Sequence, residues 1–226
     1  MSIIGGPNVI DNSLIVYLDS ANPKSYIGSG SNFYDLSKTN NNATLFNGPT
    51  FTTENQGGIV TDGANDSIYI LNNSTISSFT TGLTVSLWAK ALSLGDYNFL
   101  MGKPTDDNWN DGFGMYFESN FFYFFVNDWA AYRAGASLGG NSFGPTNWVG
   151  VYNGANVLFY RNGVLFGSAN LTGNVANTTS NLAFCNSPSN GYPMAATLYN
   201  TSLYNRALTQ KEIVQNYNVL KGRFKL

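Results

Sequence analysis

The stretch "SLYNRALTQKEIVQNYN", residues 202–218, decides the fold class because it places a well-marked helix directly after a strand. Thr209 and Glu212 have the T-x-x-E spacing of a capping box, in which two side chains satisfy two backbone amides at a helix start. Leu208 and Ile213 occupy the positions of a hydrophobic staple around that cap. The pattern predicts a helix of about three turns over residues 210–220.

The predicted helix has one apolar face. Ile213, Val214, Tyr217 and Leu220 recur at helical spacing, and Gly222 is a residue type that commonly ends a helix. A helix this short is stabilised mainly by packing that face against the rest of the protein. We expect it to cover the open end or an edge of a β-sandwich.

The remainder of the chain predicts antiparallel β-structure. Short apolar runs alternate with turn clusters rich in Asn, Ser and Gly, which is typical of a sandwich or jelly roll. Within "LTVSLWAKAL", residues 83–92, a period of two puts Leu83, Val85 and Leu87 on one face and Trp88 on the other. Asn162-Gly163 lies between two apolar runs and predicts a tight hairpin, because a type I′ turn needs positive φ at both central residues.

Composition narrows the classes of protein. The 226 residues fit one domain, 43% are hydrophobic, 11% are charged and the net charge is −2. No basic stretch could neutralise several phosphates, so the sequence predicts no nucleic-acid binding.

No apolar run reaches the roughly 20 residues of a membrane span, and "MSIIGGPNVI" lacks the basic and apolar regions of a secretory signal. The single Cys185 excludes an internal disulfide.

Five stretches, taken in order, resemble the laminin G-like, concanavalin A-like jelly-roll family, and the last of them matches that family's closing strand, turn and capped helix. They are "VTDGANDSIYI" (60–70), "GLTVSLWAK" (82–90), "GFGMYFE" (112–118), "NWVGVYNGANVLFYRNGVLFGS" (147–168) and "LYNRALTQKEIVQNY" (203–217). The front half of the chain, with "SLIVYLDSANPKSY" (13–26) and "YDLSKTNNNATLFNGPTF" (34–51), is similar to stand-alone lectin-like proteins of tailed bacteriophages.

The resemblance implies an all-β, antiparallel two-sheet jelly roll with one short C-terminal helix. We divide the chain into an N-terminal arm, residues 1–12, and a laminin G-like domain, residues 13–226. Strands of this family bury the tryptophans that match Trp88 and Trp148, so both are assigned to the core. Family membership does not fix a function, which has to be inferred from a site.

Catalysis is not expected. The chain has no histidine, which excludes a Ser-His-Asp triad, a Cys-His pair and a His-ligated metal. The glucanases of the superfamily carry Glu-x-Asp-x-x-Glu on one strand, and no Glu-x-Asp occurs here. The glutamates Glu54, Glu118 and Glu212 form no evident pair at the roughly 5 Å that retaining hydrolysis needs.

One candidate metal site lies in "DGANDS". Asp62, Asn65 and Asp66 offer hard oxygen ligands, which suit a structural Ca²⁺ ion, and some relatives bind Ca²⁺ there. The same residues are also typical of a simple turn, and the relatives' further acidic ligand is matched here by Tyr199. The segment 107–118 has EF-hand-like spacing, but a strand pattern follows it where a helix is required.

A candidate sugar site consists of aromatic residues in apparent loops. Sugar recognition uses aromatic surfaces for C–H faces and amides or carboxylates for hydroxyls. Trp109, Trp129, Tyr132 and Tyr192 lie among Asn and Asp residues and are the predicted ligand-binding residues. The alternative is that they serve packing or subunit contacts.

The sequence thus predicts a non-enzymatic phage virion protein, a capsid decoration or a tail or fibre appendage, with adhesion to host-surface glycans as a second role. The expected partners are other virion structural proteins and further copies of the chain. The expected location is the virion, after synthesis in the host cytoplasm without a signal peptide. The alternative is a dedicated carbohydrate-binding module.

Overall fold

The computed structural model of the protein describes residues 8–137 and 144–226. Within these ranges the chain forms sixteen strands and the helix α1 (Gln210–Leu220). The strands are β1 (Leu14–Asp19), β2 (Asn32–Phe33), β3 (Ala43–Phe46), β4 (Thr50–Thr52), β5 (Gly58–Asp62), β6 (Ser67–Ile70), β7 (Leu83–Ala91), β8 (Phe99–Gly102), β9 (Phe113–Glu118), β10 (Phe121–Val126), β11 (Arg133–Ser137), β12 (Thr146–Tyr152), β13 (Asn156–Arg161), β14 (Val164–Asn170), β15 (Leu182–Phe184) and β16 (Ala195–Tyr204). No helix in the described ranges is long and apolar enough to cross a membrane.

The strands form two eight-stranded sheets. Sheet A has the order β14-β13-β12-β7-β16-β5-β4. Along one edge of the long strand β16, β5 pairs with its N-terminal half and β1 pairs with its C-terminal half. Sheet B has the order β11-β10-β9-β8-β15-β6-β3-β2. Every pairing is antiparallel. The predicted all-β two-sheet sandwich with one C-terminal helix is confirmed.

The main core lies between the sheets and follows the period of two. Leu83, Val85 and Leu87 on β7 are buried in it, whereas Trp88 lies on the outer face of sheet A in a separate cluster. Trp148 also belongs to the main core. Both tryptophans are therefore buried, as predicted, but against different layers.

The hairpin prediction at Asn162-Gly163 is confirmed. These residues connect β13 to β14 with φ of 50° and 79°, the positive values that a type I′ turn requires. Ser119 and Asn120 connect β9 to β10 with φ of 49° and 70°. Both tight turns fix the register of the strands that they join.

The capping box at the start of α1 is confirmed. Thr209 Oγ1 accepts a hydrogen bond from the Glu212 amide at 3.4 Å, and the Glu212 carboxylate accepts one from the Thr209 amide at 2.8 Å. Arg206 donates to both carboxylate oxygens of Glu212, at 2.9 and 2.7 Å. This guanidinium, together with the hydrogen bonds from Thr209, lowers the pKa of Glu212 to about 2. Glu212 therefore stays ionised at the helix start, where a negative charge is favourable.

The position predicted for the helix is wrong, because α1 covers the outer face of sheet A and not an end or edge of the sandwich. Ile213 and Leu208 are buried against Val149 and Val151 of β12 and Tyr204 of β16. These strand residues point away from the main core, so without α1 their apolar surface would face water. The helix supplies the third layer that this surface requires.

The same layer continues past α1. A 3₁₀ turn over Lys221–Phe224 follows the helix directly, so Gly222 does not end it as predicted. The ring of Phe224 stacks on Trp88 at 4.2 Å between centroids, and Tyr217 stacks on Trp88 at 5.6 Å. The chain leaves the helical conformation at Lys225, where φ is 58°.

The prediction of the buried face of α1 is wrong at one residue. Val214 is 36% exposed, whereas Asn216 is buried on the face towards the sheet. Asn216 Oδ1 accepts a hydrogen bond from the Ile10 amide at 2.9 Å, and its amide nitrogen donates to the Tyr204 hydroxyl at 3.0 Å. A buried amide is tolerated here because both ends are hydrogen-bonded.

The described part of the predicted N-terminal arm packs on its own chain. Gln215 donates to the Asn8 carbonyl at 2.8 Å, and the Tyr204 hydroxyl donates to the Ile10 carbonyl at 3.0 Å. Residues 8–12 therefore join the layer formed by α1. The rest of the arm, residues 1–7, lies outside the described residues.

Ile213→Asp tests the packing of α1. The substitution places an unpaired carboxylate in a site where the side chain is 1% exposed, so we expect the free energy of unfolding to fall by about 3–5 kcal/mol. Val214→Asp, one residue along the same helix, is the matched control and should cost less than about 1 kcal/mol. Thermal melting of the two variants beside the wild type measures both changes. Equal stability of the two variants would show that Ile213 is not buried against sheet A.

Candidate ligand-binding site on the outer face of sheet B

The outer face of sheet B is aromatic. Phe99 on β8, Tyr116 on β9 and Phe125 on β10 are buried together in a cluster separate from the main core. Gly114 lies beneath two of these rings: a Cβ at this position would come within 2.7 Å of the Phe125 ring and 2.9 Å of the Phe99 ring. A glycine there lets the rings lie close to the sheet.

Loop residues cover this aromatic face. Trp109 packs edge-on against Phe99, with 4.5 Å between ring centroids. Three further rings surround Trp109: Tyr192 at 4.8 Å, Trp129 at 5.6 Å and Tyr97 at 5.8 Å. The loops before β9, after β10, before β8 and before β16 therefore meet at one place.

A pocket with a volume of about 230 Å³ opens between these loops, and we call it the aromatic pocket. It is lined by Tyr97, Asp107, Asn108, Trp109, Trp129 and Tyr192. Three of the four predicted sugar-binding residues, Trp109, Trp129 and Tyr192, thus come together although up to 83 residues of sequence separate them. The fourth, Tyr132, is 37% exposed and is not among the lining residues.

Trp109 differs from the exposed platform that the sequence suggests. Its side chain is 3% exposed, so it forms the base of the pocket. Its indole N–H is buried and has no hydrogen-bond acceptor in the described part of the chain. Its φ of 50° lies in the left-handed region, which is uncommon for a bulky side chain. Tyr97 shares this conformation with φ of 68°.

The polar groups of the pocket include acceptors and donors. Asp107 Oδ1 accepts a hydrogen bond from the Ser189 hydroxyl, and Asn108 adds an amide. The Tyr97 hydroxyl hydrogen-bonds to Glu118, and this bond raises the pKa of the phenol. Arg133 forms an ion pair with Glu118 at 2.6 Å, and its guanidinium lies 5.4 Å from the centroid of the Trp129 ring.

Tyr97 is the aromatic lining residue that sequence analysis missed. It lies in the loop "LGDYN" between two strands, where one tyrosine carries no periodic or motif signal. It joins the site only because the register of β8 and β9 brings residues 97 and 117 together, as shown by the hydrogen bond from the Tyr97 amide to the Phe117 carbonyl at 2.6 Å. That pairing is a long-range feature.

The predicted Ca²⁺ residues form a compact turn. Asp62 Oδ1 accepts a hydrogen bond from the Ala64 amide at 2.8 Å, and Asp66 Oδ2 accepts one from the Asp62 amide at 3.0 Å. The amide donors lower the pKa of Asp62, whereas burial and the neighbouring Asp62 charge raise the pKa of Asp66. The residue of β16 opposite Asp62 is Ala195, so this neighbour adds no carboxylate.

The glutamates are used in ion pairs. Glu54 pairs with Lys90 at 3.0 Å, Glu118 with Arg133 and Glu212 with Arg206. Within residues 8–137 and 144–226, no three His, Cys, Asp or Glu side chains converge as metal ligands would. Cys185 is buried, and burial raises the pKa of its thiol to about 12, which opposes the thiolate form that nucleophilic chemistry needs.

Solved structures share this fold. The binding domain of Paraclostridial Mosquitocidal Protein 1 is 16% identical with a TM-score of 0.69, over 92% of this chain and 52% of that one. The binding domain of Botulinum Neurotoxin DC, in complex with SialylT, is 13% identical with a TM-score of 0.71, over 93% of this chain and 52% of that one. A structure of botulinum neurotoxin type C, described as depending on two ganglioside molecules for cell entry, is 12% identical with a TM-score of 0.69, over 93% and 52%.

The chain spans about half the length of these structures, and at such identities the likeness concerns the fold alone. No curated protein matches the sequence. The laminin G family that is described as the concanavalin A-like lectin/glucanases superfamily matches residues 62–214. This match covers more than half of the chain, and with the two-sheet architecture it shows that the protein belongs to the concanavalin A-like lectin/glucanase superfamily.

Proposed function

We propose that the protein is a non-enzymatic, lectin-like module that binds a glycan in the aromatic pocket. The observation that carries the proposal is the convergence of four aromatic side chains with a carboxylate and an amide on one concave surface. Rings offer apolar faces to sugar C–H groups, while Asp107 and Asn108 offer partners to hydroxyls. The volume of about 230 Å³ is below the roughly 300–1,000 Å³ of drug-sized sites, so it suits one sugar unit.

The structural relatives support a recognition role for this architecture. The binding domain of Botulinum Neurotoxin DC is in complex with SialylT in one structure and with rat synaptotagmin II in another. Those ligands belong to those proteins. What they contribute here is a precedent for binding domains in which a sandwich like this one makes up about half of the chain.

Trp129→Ala tests the pocket as the binding site. Removal of one wall should weaken binding of a glycan identified on a printed array by at least about tenfold, which corresponds to about 1.4 kcal/mol. Tyr34→Ala is the matched control, since Tyr34 is 43% exposed and lies outside the pocket. Calorimetric titration of the folded variants measures both affinities. If Trp129→Ala binds as well as the wild type, the glycan is bound elsewhere.

The setting that we propose for this module is a phage particle, as a capsid decoration or a tail or fibre appendage. The support is the similarity of the front half of the sequence to lectin-like proteins of tailed bacteriophages. Contacts with other structural proteins or with further copies would not be mainly electrostatic, because only 11% of the residues are charged. They should therefore survive moderate salt.

Particle incorporation separates the two roles. We expect the protein in purified virions and expect Trp129→Ala particles to assemble normally but adhere poorly to host cells. Quantitative immunoblotting of virions and an adsorption assay measure the two properties. Loss of the variant from particles would instead assign Trp129 to an assembly contact, and absence of the wild-type protein from virions would refute the particle setting.

A structural Ca²⁺ ion at Asp62, Asn65 and Asp66 is a separate proposal. Its support is the closeness of two carboxylates, one of them buried, because a cation would relieve their repulsion. Bound Ca²⁺ should raise the melting temperature by mass action, with Asp62→Asn as the variant that loses the effect. Coincident melting curves in millimolar Ca²⁺ and in chelator would remove this site.

A further inference from the structure

We infer that the aromatic pocket selects a substituted ammonium group, carried on a saccharide or on a choline-type headgroup, over neutral or acidic sugars. This inference rests on the proposed function because it assigns the ligand chemistry of the same pocket. Three features of the pocket carry it: the arrangement of the rings, the sign of the charge and the pairing of the nearest cation.

The rings form an upright enclosure around Trp109. The planes of Tyr97, Trp129 and Tyr192 stand at 63°, 75° and 77° to the plane of Trp109, and Tyr97 stands at 89° to Trp129. A sugar ring places the C–H groups of one side on a single exposed aromatic face. A compact, rounded group can instead contact several steep walls at once, and aromatic enclosures of this kind bind quaternary ammonium groups through the negative faces of the rings.

The charge of the pocket has one sign. Asp107 is the charged lining residue, and Lys and Arg are absent from the lining. Its Oδ1 accepts from Ser189, whereas its Oδ2 accepts no hydrogen bond from any residue in the described ranges. Asp106 precedes it in the chain, and Asp96 precedes the lining residue Tyr97. The Asp107 carboxylate in the lining favours a cation and disfavours a carboxylate-bearing sugar.

The nearest cation does not cancel this field. The Arg133 guanidinium lies 4.3 Å from the Tyr123 ring centroid and 5.4 Å from that of Trp129. It is paired with Glu118 at 2.6 Å, so the pair contributes little net charge to the pocket. Its distance from the Trp129 ring lies within the range of a cation–π contact.

Choline and 3,3-dimethylbutan-1-ol provide the decisive comparison, because they share a shape and differ in one charge. Titration of the full chain, followed by tryptophan fluorescence, should give choline at least about tenfold tighter binding than its neutral isostere, as cation–π energies in desolvated sites imply. Glucosamine against N-acetylglucosamine is the saccharide arm and should show the same preference. Together the two arms report whether the cation is read on a sugar or on a headgroup.

Asp107→Asn should reduce the preference for choline over its isostere by several-fold. Asp11→Asn, which removes one carboxylate outside the pocket beside sheet A, should leave the preference unchanged. Melting curves establish that both variants are folded.

Equal binding of choline and its isostere by the wild type would overturn the inference. Binding of N-acetylglucosamine without binding of any ammonium ligand would overturn it too, while leaving the proposed glycan function intact. A choline preference without binding of any saccharide would support the inference and refute the glycan function.

Discussion

Each sheet of this sandwich has two apolar faces, and the opposing sheet can bury only one of them. On sheet A the outer face carries Trp88 and Tyr199, and on sheet B it carries Phe99 and Tyr116. Rings of this size exposed in rows would form a large apolar patch. Each outer face therefore needs a layer that shields it from water. The helix and several of the loops form these two covering layers.

The two covers differ in kind. On sheet A, α1 satisfies most of its backbone hydrogen bonds internally, and residues 8–12 and the 3₁₀ turn join it in one layer. On sheet B the cover consists of loops, whose backbone groups must find partners individually, as when the Trp109 carbonyl accepts from the Trp129 amide at 3.2 Å. Loops that meet from four directions do not close completely. The aromatic pocket is the gap that remains, and its rings belong to the cover as much as to the site.

Features determined by neighbouring residues could be predicted from the sequence, and features determined by distant ones could not. The capping box, the Asn162-Gly163 hairpin and the alternation of β7 each depend on a few adjacent residues. The surface that α1 covers is formed by strands that are distant in the sequence. The residues of the helix alone therefore could not show whether it packs on an edge or on a face of the sandwich. The exchange of Val214 for Asn216 on the buried side has the same cause: Asn216 is buried because Tyr204 and Ile10 supply its hydrogen bonds.

For the candidate site, too, local features could be predicted and long-range ones could not. Aromatic residues among Asn and Asp pointed to Trp109, Trp129 and Tyr192, because composition is a local signal. Whether such residues meet is set by loop closure, which brought in Tyr97 and left Tyr132 outside the lining. The burial of Trp109 was likewise invisible, since it results from the Phe99 ring beneath it.

The hydrogen bond from Gln215 to the Asn8 carbonyl places residue 8 beside the C-terminal helix, on the side of the molecule opposite the pocket. The first described residue and the C-terminal helix meet on the outer side of sheet A, while the pocket opens on the outer side of sheet B, with a core about 10 Å thick between them. A tether joined at residue 8 or at the C-terminal helix would hold the protein from the outer side of sheet A. The pocket would then face away from the attachment point. Many copies attached in this way would all present the outer face of sheet B to the surroundings.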